Sequence, residues 1–345
     1  QQAVRRREKI LIAGDYDTDG LTGAALLLQT IRVLGGDVGC YIPHRLEDGY
    51  GLKGQMIRKA ARSGVKLLIS VDFGTRSFEE IRLARSLGLG TVVVDHHDLG
   101  GGPPVEASAL LNPRRPDCSY PDKELASVGV AFTLARRLLG SGPTLWAHLD
   151  LVALGTVADM APLAGENRVL VRAGLHALSG TRRPGLRAML ARAGLAGGPL
   201  TPEDISFSLA PPLNATGRMG SAEASFRLLT TEDPQEAGEL AGIVFRQNRA
   251  RAAAGRAAFQ KALSKVAREV NFSRDRVIVL EDESWHPGLL GILAARLASR
   301  FHRPTVVIGP EGAGPSRRGS ARSIPSFHLV DALQAVREHL MEFGG

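Results

Sequence analysis

A chain of 345 residues is longer than one hydrophobic core ordinarily serves, so two domains are expected. Its apolar fraction of 44% supplies ample core, while two cysteines are too few for a disulfide framework or a zinc cluster. With no run of about 18 apolar residues to span a membrane, the composition fits a cytoplasmic protein, and the net charge of +8 allows a polyanionic partner without demanding one.

Taken in order, residues 10–13 form a short apolar run, and DYDTDG at 15–20 follows it, carrying Asp15, Asp17 and Asp19. The apolar segment 21–34 then has a helical pattern and ends at Gly35-Gly36. Three acids on a strand-to-helix turn repel one another unless a cation compensates. An EF-hand is excluded because Leu26 stands where the closing glutamate belongs. Strands are expected at 38–42, 65–71, 91–94 and 108–112, with helices at 55–62 and 78–87 between them. That alternation predicts an α/β fold with a doubly wound parallel sheet.

The strand at 65–71 runs into Asp72, and the strand at 91–94 into Asp95, His96, His97 and Asp98. One acid at a strand end is commonly a helix cap. Here three strand ends deliver carboxylates and imidazoles to one expected rim, where open α/β sheets bind ligands. Mixed carboxylate and imidazole donors suit manganese, or magnesium with a looser fit, better than calcium.

Beyond the loop at 112–122 the pattern turns helical, at 124–139, 145–157, 167–178 and 185–193. Asp159 follows the second of these, where a lone acid in an apolar stretch needs water or a cation. A Gly/Pro-rich break at 194–202 is a candidate boundary. NATGRMG at 214–220 is expected as a Gly-bearing loop carrying Arg218. A long helix at 234–270 carries many cations, as a solvated face or as a connector between domains. A smaller α/β unit closes the chain, with strands at 276–280 and 305–308 around a helix at 287–300. Its segment PSRRGSARSIPSFHL interleaves arginines with serines, a donor pattern that suits phosphate oxygens.

DYDTDG at 15–20, VDFG at 71–74, DHH at 95–97 and VAD at 157–159 resemble, in order and spacing, the four motifs of the DHH phosphoesterase superfamily. NPRRPDCSYP, GTVADMAPL, NATGRMG, HPGLLGI and GSARSIPSF are similar to segments of its single-strand-specific exonucleases, so the resemblance runs from about residue 9 to the end. Thr18 and Phe73 stand where the family commonly has smaller residues, and neither is expected to touch the metals. The resemblance implies a DHH domain at 1–195, a helical linker region at 196–272 and a C-terminal DHH-associated substrate-binding domain at 273–345. The last is expected to be truncated, because Gly344-Gly345 should open a further motif and the chain is expected to be a piece of a longer protein.

It also implies two-metal hydrolysis of phosphodiester bonds with manganese or magnesium. Asp17, Asp19, Asp72, His96 and Asp159 are the expected ligands, with Asp72 as the bridge, and Asp15 serves the second ion or orients its waters. His97 is assigned to the scissile phosphate and Asp95 to orienting an imidazole, while Arg45, Arg218, Ser320 and Arg322 are assigned to phosphate contacts. The implied function is 5′ to 3′ degradation of single-stranded DNA in recombination and repair, with a single-strand-binding protein or a helicase as the kind of protein partner. Two rivals are a small-substrate phosphoesterase acting on short oligonucleotides, cyclic dinucleotides or pyrophosphate, and a non-catalytic module that binds a replication partner.

Overall fold

The computed structural model describes residues 1–345 except 46–47, 101, 312–313, 326, 342 and 344–345, so the expected motif at Gly344-Gly345 lies outside the described residues. The chain forms two compact units, 1–248 and 249–345.

In the first unit, β1 (Lys9–Gly14), β2 (Val38–Tyr41), β3 (Val65–Val71), β4 (Gly90–Val94) and β5 (Ala109–Leu111) make one parallel sheet in the order β2-β1-β3-β4-β5. Valine, isoleucine and leucine dominate β1, β3 and β4 because both faces of a parallel sheet are covered. Ile10, Ile12, Ile69, Val71 and Val94 face one core. Ala13, Leu68 and Val93, at the alternate positions, face the other. The first core is closed by α1 (Thr18–Val33), α4 (Ser127–Leu139) and α5 (Leu149–Ala158), and the second by α2 (Gly54–Arg62) and α3 (Phe78–Ser86). The doubly wound parallel architecture expected from the alternating pattern is the one present.

Several boundaries differ from the sequence expectation, and each difference has a physical cause. Helix α1 starts at Thr18 rather than at residue 21, because the Asp17 side chain caps it, accepting from Asp19 N at 3.0 Å and Gly20 N at 3.1 Å. The helix expected over 124–139 begins only at Ser127. The one expected over 145–157 is two, Pro143–Trp146 and α5, with the chain breaking step at His148.

That break builds a buried polar cluster. Asp150 accepts from the Thr181 hydroxyl at 2.7 Å and from Arg183 Nε at 3.1 Å. The same guanidinium donates to Gln29 Oε1 and lies 2.9 Å from His148 Nδ1. Burial, and then the Arg183 charge, press the His148 imidazole down to about 4.

Helices α6 (Gly165–Ser179), α7 (Pro184–Ala193), α8 (Ala210–Met219) and α9 (Glu223–Thr230) extend the first core. NATGRMG, expected as a loop, is mostly the second half of α8. Pro211 and Pro212 follow directly on a π-helical stretch, Ile205–Leu209, so the helical run from Pro202 continues through them with the irregular turn placed just ahead of the missing N–H groups. The Gly/Pro-rich stretch 194–202 lies within this unit, and its Leu200 is buried in the same core.

Helix α10 (Pro234–Glu269) gives Ala237, Ala241 and Val244 to the first core. Its later turns give Phe259, Ala262 and Val266 to the core of the second unit. There β6 (Ile278–Glu281) and β7 (Thr305–Pro310) pair in parallel, and β8 (Arg317–Arg322) joins antiparallel to β7. The helix expected over 287–300 opens with one 3-10 turn, Pro287–Leu289, before α11 (Leu290–Phe301). No described helix is long and apolar enough to cross a membrane.

Candidate metal centre

The centre is built by strand register. Gly14 of β1 pairs with Val71 of β3, Val71 with Val94 of β4, and Val94 with Leu111 of β5, so four strands end level. The next residue on each is Asp15, Asp72, Asp95 and Asn112. Backbone pairing continues one step past the strands, from Asp15 N to Val71 O at 3.1 Å, Asp72 N to Val94 O at 2.9 Å and Asp95 N to Leu111 O at 3.0 Å. The row crosses the gap between β1 and β3, where the strand order reverses and such sheets bind ligands.

Helix termini supply the rest. Asp19, in the first turn of α1, accepts from Ser127 N and Val128 N, each at 2.8 Å, at the start of α4. Those orphan N–H groups and the positive end of the α4 dipole favour its charge. The Ser127 hydroxyl also donates to Asp72 Oδ1 at 2.8 Å, which ties two acids to one residue. Asp159 caps the C-terminus of α5, where the dipole is negative and a carboxylate is misplaced without a cation. Asp72 holds φ +69, a left-handed conformation that aspartate tolerates better than most residues.

Two glycines permit the close packing. A Cβ at Gly20 would lie 2.6 Å from Asp15 N, and one at Gly155 would lie 2.3 Å from Thr22 Oγ1 and 3.1 Å from Asp19 Oδ1. The glycines of DYDTDG and GTVAD are therefore needed to fold the acids together.

Among the described residues, three overlapping groups place ligand atoms within 4.8 Å of one another: Asp15, Asp17 and Asp72; Asp72, His96 and His97; Asp19, His96 and Asp159. His96 Nε2 is buried with no hydrogen-bond partner, 3.4 Å from Asp72 Oδ1 and 3.7 Å from Asp159 Oδ2. Burial, and then the charge of His97, lower the His96 imidazole to about 4, so the ring is neutral at neutral pH and its Nε2 is open to a cation. Crowding shows in the acids as well. Burial and then the Asp17 charge raise Asp15 and Asp72, burial and then the charges of Asp159 and Asp17 raise Asp19, and burial with Asp17 lifts Asp159 to about 6. Clustered carboxylates around an orphaned imidazole nitrogen fit divalent cations, which relieve the repulsion and fill the lone pair.

Asp95 behaves differently. Burial alone would raise it, but hydrogen bonds from His97 and Thr75 hold it well below the usual carboxylate range. One oxygen accepts from His96 N at 2.8 Å, His97 N at 3.2 Å and His97 Nδ1 at 2.8 Å, and the other from Thr75 N at 3.0 Å. It thus aims the His97 imidazole and pins the backbone of both histidines. Asp95→Asn keeps the shape but puts an amide against that cluster of donors, and it should reduce metal-dependent turnover about 10–100-fold. Metal titration by calorimetry alongside initial rates checks this, and an unchanged metal affinity with an unchanged rate contradicts it.

Arg45 stacks over Tyr16, with 5.1 Å from guanidinium carbon to ring centroid. The Tyr16 hydroxyl is pushed up to about 12, by burial first and then by Asp15, against the opposing charges of Arg45 and Arg218. Both arginines therefore bear on the Asp15–Tyr16 step. Thr18 donates from both N and Oγ1 to Asn214 Oδ1 at 2.8 Å, which pins α8 to the first motif. Phe73 is buried in the second core. Neither Thr18 nor Phe73 joins the donor groups.

In the second unit, β8 pairs two of its arginines with acids: Arg317 with Glu281 and Glu283, and Arg318 with Glu311 at 2.6 Å. Ser320 and Arg322 instead converge over Gly291 in α11, where a Cβ would lie 3.2 Å from Ser320 Oγ and 3.3 Å from Arg322 Nη2.

Four supporting residues escaped the sequence reading: Ser127, Asn112, Thr75 and Asn214. Asn112 had a signal, as the fourth strand-end residue in the row. Its side chain donates to His97 O at 2.8 Å and Thr75 Oγ1 at 3.1 Å. Ser127 had none, because the helical pattern runs back through it to residue 124.

Comparison with known proteins agrees with this geometry. Residues 9–156 match the model of the DHH family, N-terminal domain, and residues 274–345 match that of the DHHA1 domain. The chain is 40% identical to the single-stranded-DNA-specific exonuclease RecJ of Bacillus subtilis over all of its own length and 43% of that protein's. It is 38% identical to the RecJ of Escherichia coli over 99% and 63%. It thus spans less than two thirds of these relatives. Among solved structures, a manganese-bound exonuclease RecJ superposes with TM-score 0.87 at 35% identity, covering all of this chain and 85% of the other. The Mn2+ complex of RecJ from Thermus thermophilus superposes with TM-score 0.85 at 33%, covering all of this chain and 49% of that one. With its whole length aligned to most of a solved RecJ chain, and both domain models matched, the chain belongs to the RecJ family of DHH-domain proteins.

Proposed function

We propose that this chain is the catalytic core of a single-strand-specific DNA exonuclease acting 5′ to 3′ in recombination and repair, in the cytoplasm. The observation that carries the reading is the level row of Asp15, Asp72 and Asp95 with the unpartnered His96 Nε2 beside it. Such a set is costly for a protein unless it holds cations.

Two manganese or magnesium ions would be held by Asp17, Asp19, Asp72, His96 and Asp159 with Asp15 in support, and when bound they supply an activated water and neutralise charge on the phosphoryl oxygens. The chain's own groups do the positioning. Ser127 and the first N–H groups of α4 fix Asp19 and Asp72. Asp95 orients the His97 ring, whose free Nε2 is the donor to the scissile phosphate. Arg45 and Arg218, near Tyr16, and Ser320 and Arg322, over α11, are the phosphate contacts, since guanidinium forks and hydroxyls match phosphate oxygens. The proposed division of labour is 1–195 for metal chemistry, 196–272 as linker and 273–345 for substrate. Protein partners would be those that deliver single strands, a single-strand-binding protein or a helicase.

Digestion of single-stranded DNA labelled at either end, with and without a 5′ phosphate and with manganese present, tests the reading. Early release of the 5′ label as mononucleotide is expected. Equal rates on a blunt duplex overturn the strand specificity, and turnover that falls as the strand lengthens points to a small-molecule phosphoesterase.

A further inference from the structure

A second concave surface lies in the first unit, formed by residues the metal chemistry does not use. It is a groove of about 790 Å³ between α6 and the Gly/Pro-rich stretch 194–202. Val171, Leu175 and Leu200 line it, with Pro199 and Pro202 on the opposite wall. That wall is held open by its own chemistry. Gly194 ends α7 in the left-handed region and Gly197 holds φ +82, while the Thr201–Asp204 capping box fixes the far end. Leu200 is buried as an anchor, and the prolines beside it cannot fold back into a helix.

Along the α6 wall stand Arg168, Arg172 and His176, spaced four apart and so on one stripe of the helix. All three are exposed, and none pairs with an acid among the described residues. Other exposed arginines of this unit, such as Arg58, Arg62 and Arg187, also pair with no acid among the described residues, so what distinguishes this row is its place along an apolar groove. An apolar groove edged by the guanidinium groups of Arg168 and Arg172 is complementary to an apolar stripe edged by acids. Single-stranded nucleic acid is disfavoured as the occupant, because no Phe, Tyr or Trp lines the groove and base binding relies on large stacking platforms.

We propose that this groove docks an acidic amphipathic segment of a partner protein, with its apolar side chains between Leu175 and Pro199 and its carboxylates on Arg168, Arg172 and His176. The 15 residues of α6 span about 22 Å, room for roughly four turns of a docked helix. Docking here leaves the metal-site residues untouched, so a partner can tether the chain while it works.

The test is fluorescence anisotropy with the whole chain and a labelled amphipathic helical peptide built of leucine and glutamate. A leucine–lysine peptide of the same pattern and an unlabelled oligothymidylate serve as controls. The leucine–glutamate peptide should bind and the leucine–lysine peptide should not. Arg168→Glu with Arg172→Glu should weaken binding about tenfold or more, with the glutamine pair falling between, and nuclease turnover should not change. Equal binding of the two peptides, or no loss in the charge-reversed chain, overturns the proposal. Displacement of the peptide by oligothymidylate from the wild-type chain but not from the charge-reversed one assigns the groove to nucleic acid and overturns it too. Failure of the nuclease reading would not alter these outcomes, since peptide binding is read without turnover.

Discussion

Replacing Asp72 with asparagine is expected to lower manganese-dependent hydrolysis at least about a thousandfold, or ~4 kcal/mol of transition-state stabilisation. Asparagine is the informative choice. It tolerates the positive φ of this position, where alanine would add backbone strain, and it can still accept the Ser127 hydroxyl. What it removes is the charge at the centre of the donor set, shared by two of the three candidate ligand groups.

The same change should stabilise the metal-free chain. Burial and the neighbouring acids, Asp17 foremost, raise Asp72, so the fold holds a proton there that the unfolded chain releases near pH 4. Stability of the metal-free protein therefore falls as pH climbs through that window, and asparagine escapes the penalty. Above it the variant should melt at a higher temperature than the wild type. Added manganese should reverse the order, since it stabilises only the chain that binds it. A variant that loses turnover and also loses metal-free stability would instead mark Asp72 as a folding residue.

The second large effect lies away from the metals. Removing the guanidinium with Arg183→Met leaves Asp150 buried beside a threonine hydroxyl and its own helix terminus, and should cost about 3–5 kcal/mol. Urea denaturation measures it. Adding Asp150→Leu removes the stranded charge and should recover most of the loss, which separates a charge effect from a packing defect.

His148 gives this cluster a pH signature. Its folded value of about 4 lies below the ordinary histidine value, so the unfolded chain binds the proton more readily. The contribution is complete above about pH 6.5 and is lost as pH falls towards 4, on the order of 3 kcal/mol across the window. His148→Gln should flatten that slope. An equally steep slope in the variant would place the acid sensitivity elsewhere.

How much of this was legible beforehand follows from the range of each interaction. The strands, their alternation with helices, and the acids and imidazoles at three strand ends are local features, written in residue type and period. They were enough to predict a doubly wound sheet and to nominate Asp15, Asp17, Asp19, Asp72, His96 and His97, while Asp159, after a helix, was marked mainly by the family resemblance of its motif, and the fold gathers all seven around one rim. The helix boundaries at 127 and 148 were not legible, because an apolar period carries through a junction that only packing interrupts. With them went the roles of Ser127 and Val128 in holding Asp19, and the whole Asp150–Arg183–His148 cluster. NATGRMG looked like a loop for its glycines, yet Asn214 needs a helix to present its oxygen to Thr18.

Sequence alone therefore determined which side chains are available for metal chemistry, since their kind and order are covalent facts. Only the tertiary structure decided their arrangement. The level register of β1, β3, β4 and β5 made a row of Asp15, Asp72, Asp95 and Asn112. Burial and mutual repulsion separated Asp95, held ionised by its donors, from the crowded acids that want a cation. Those distinctions arise from residues as far apart in sequence as Asp19 and Asp159, and a local pattern has no access to them.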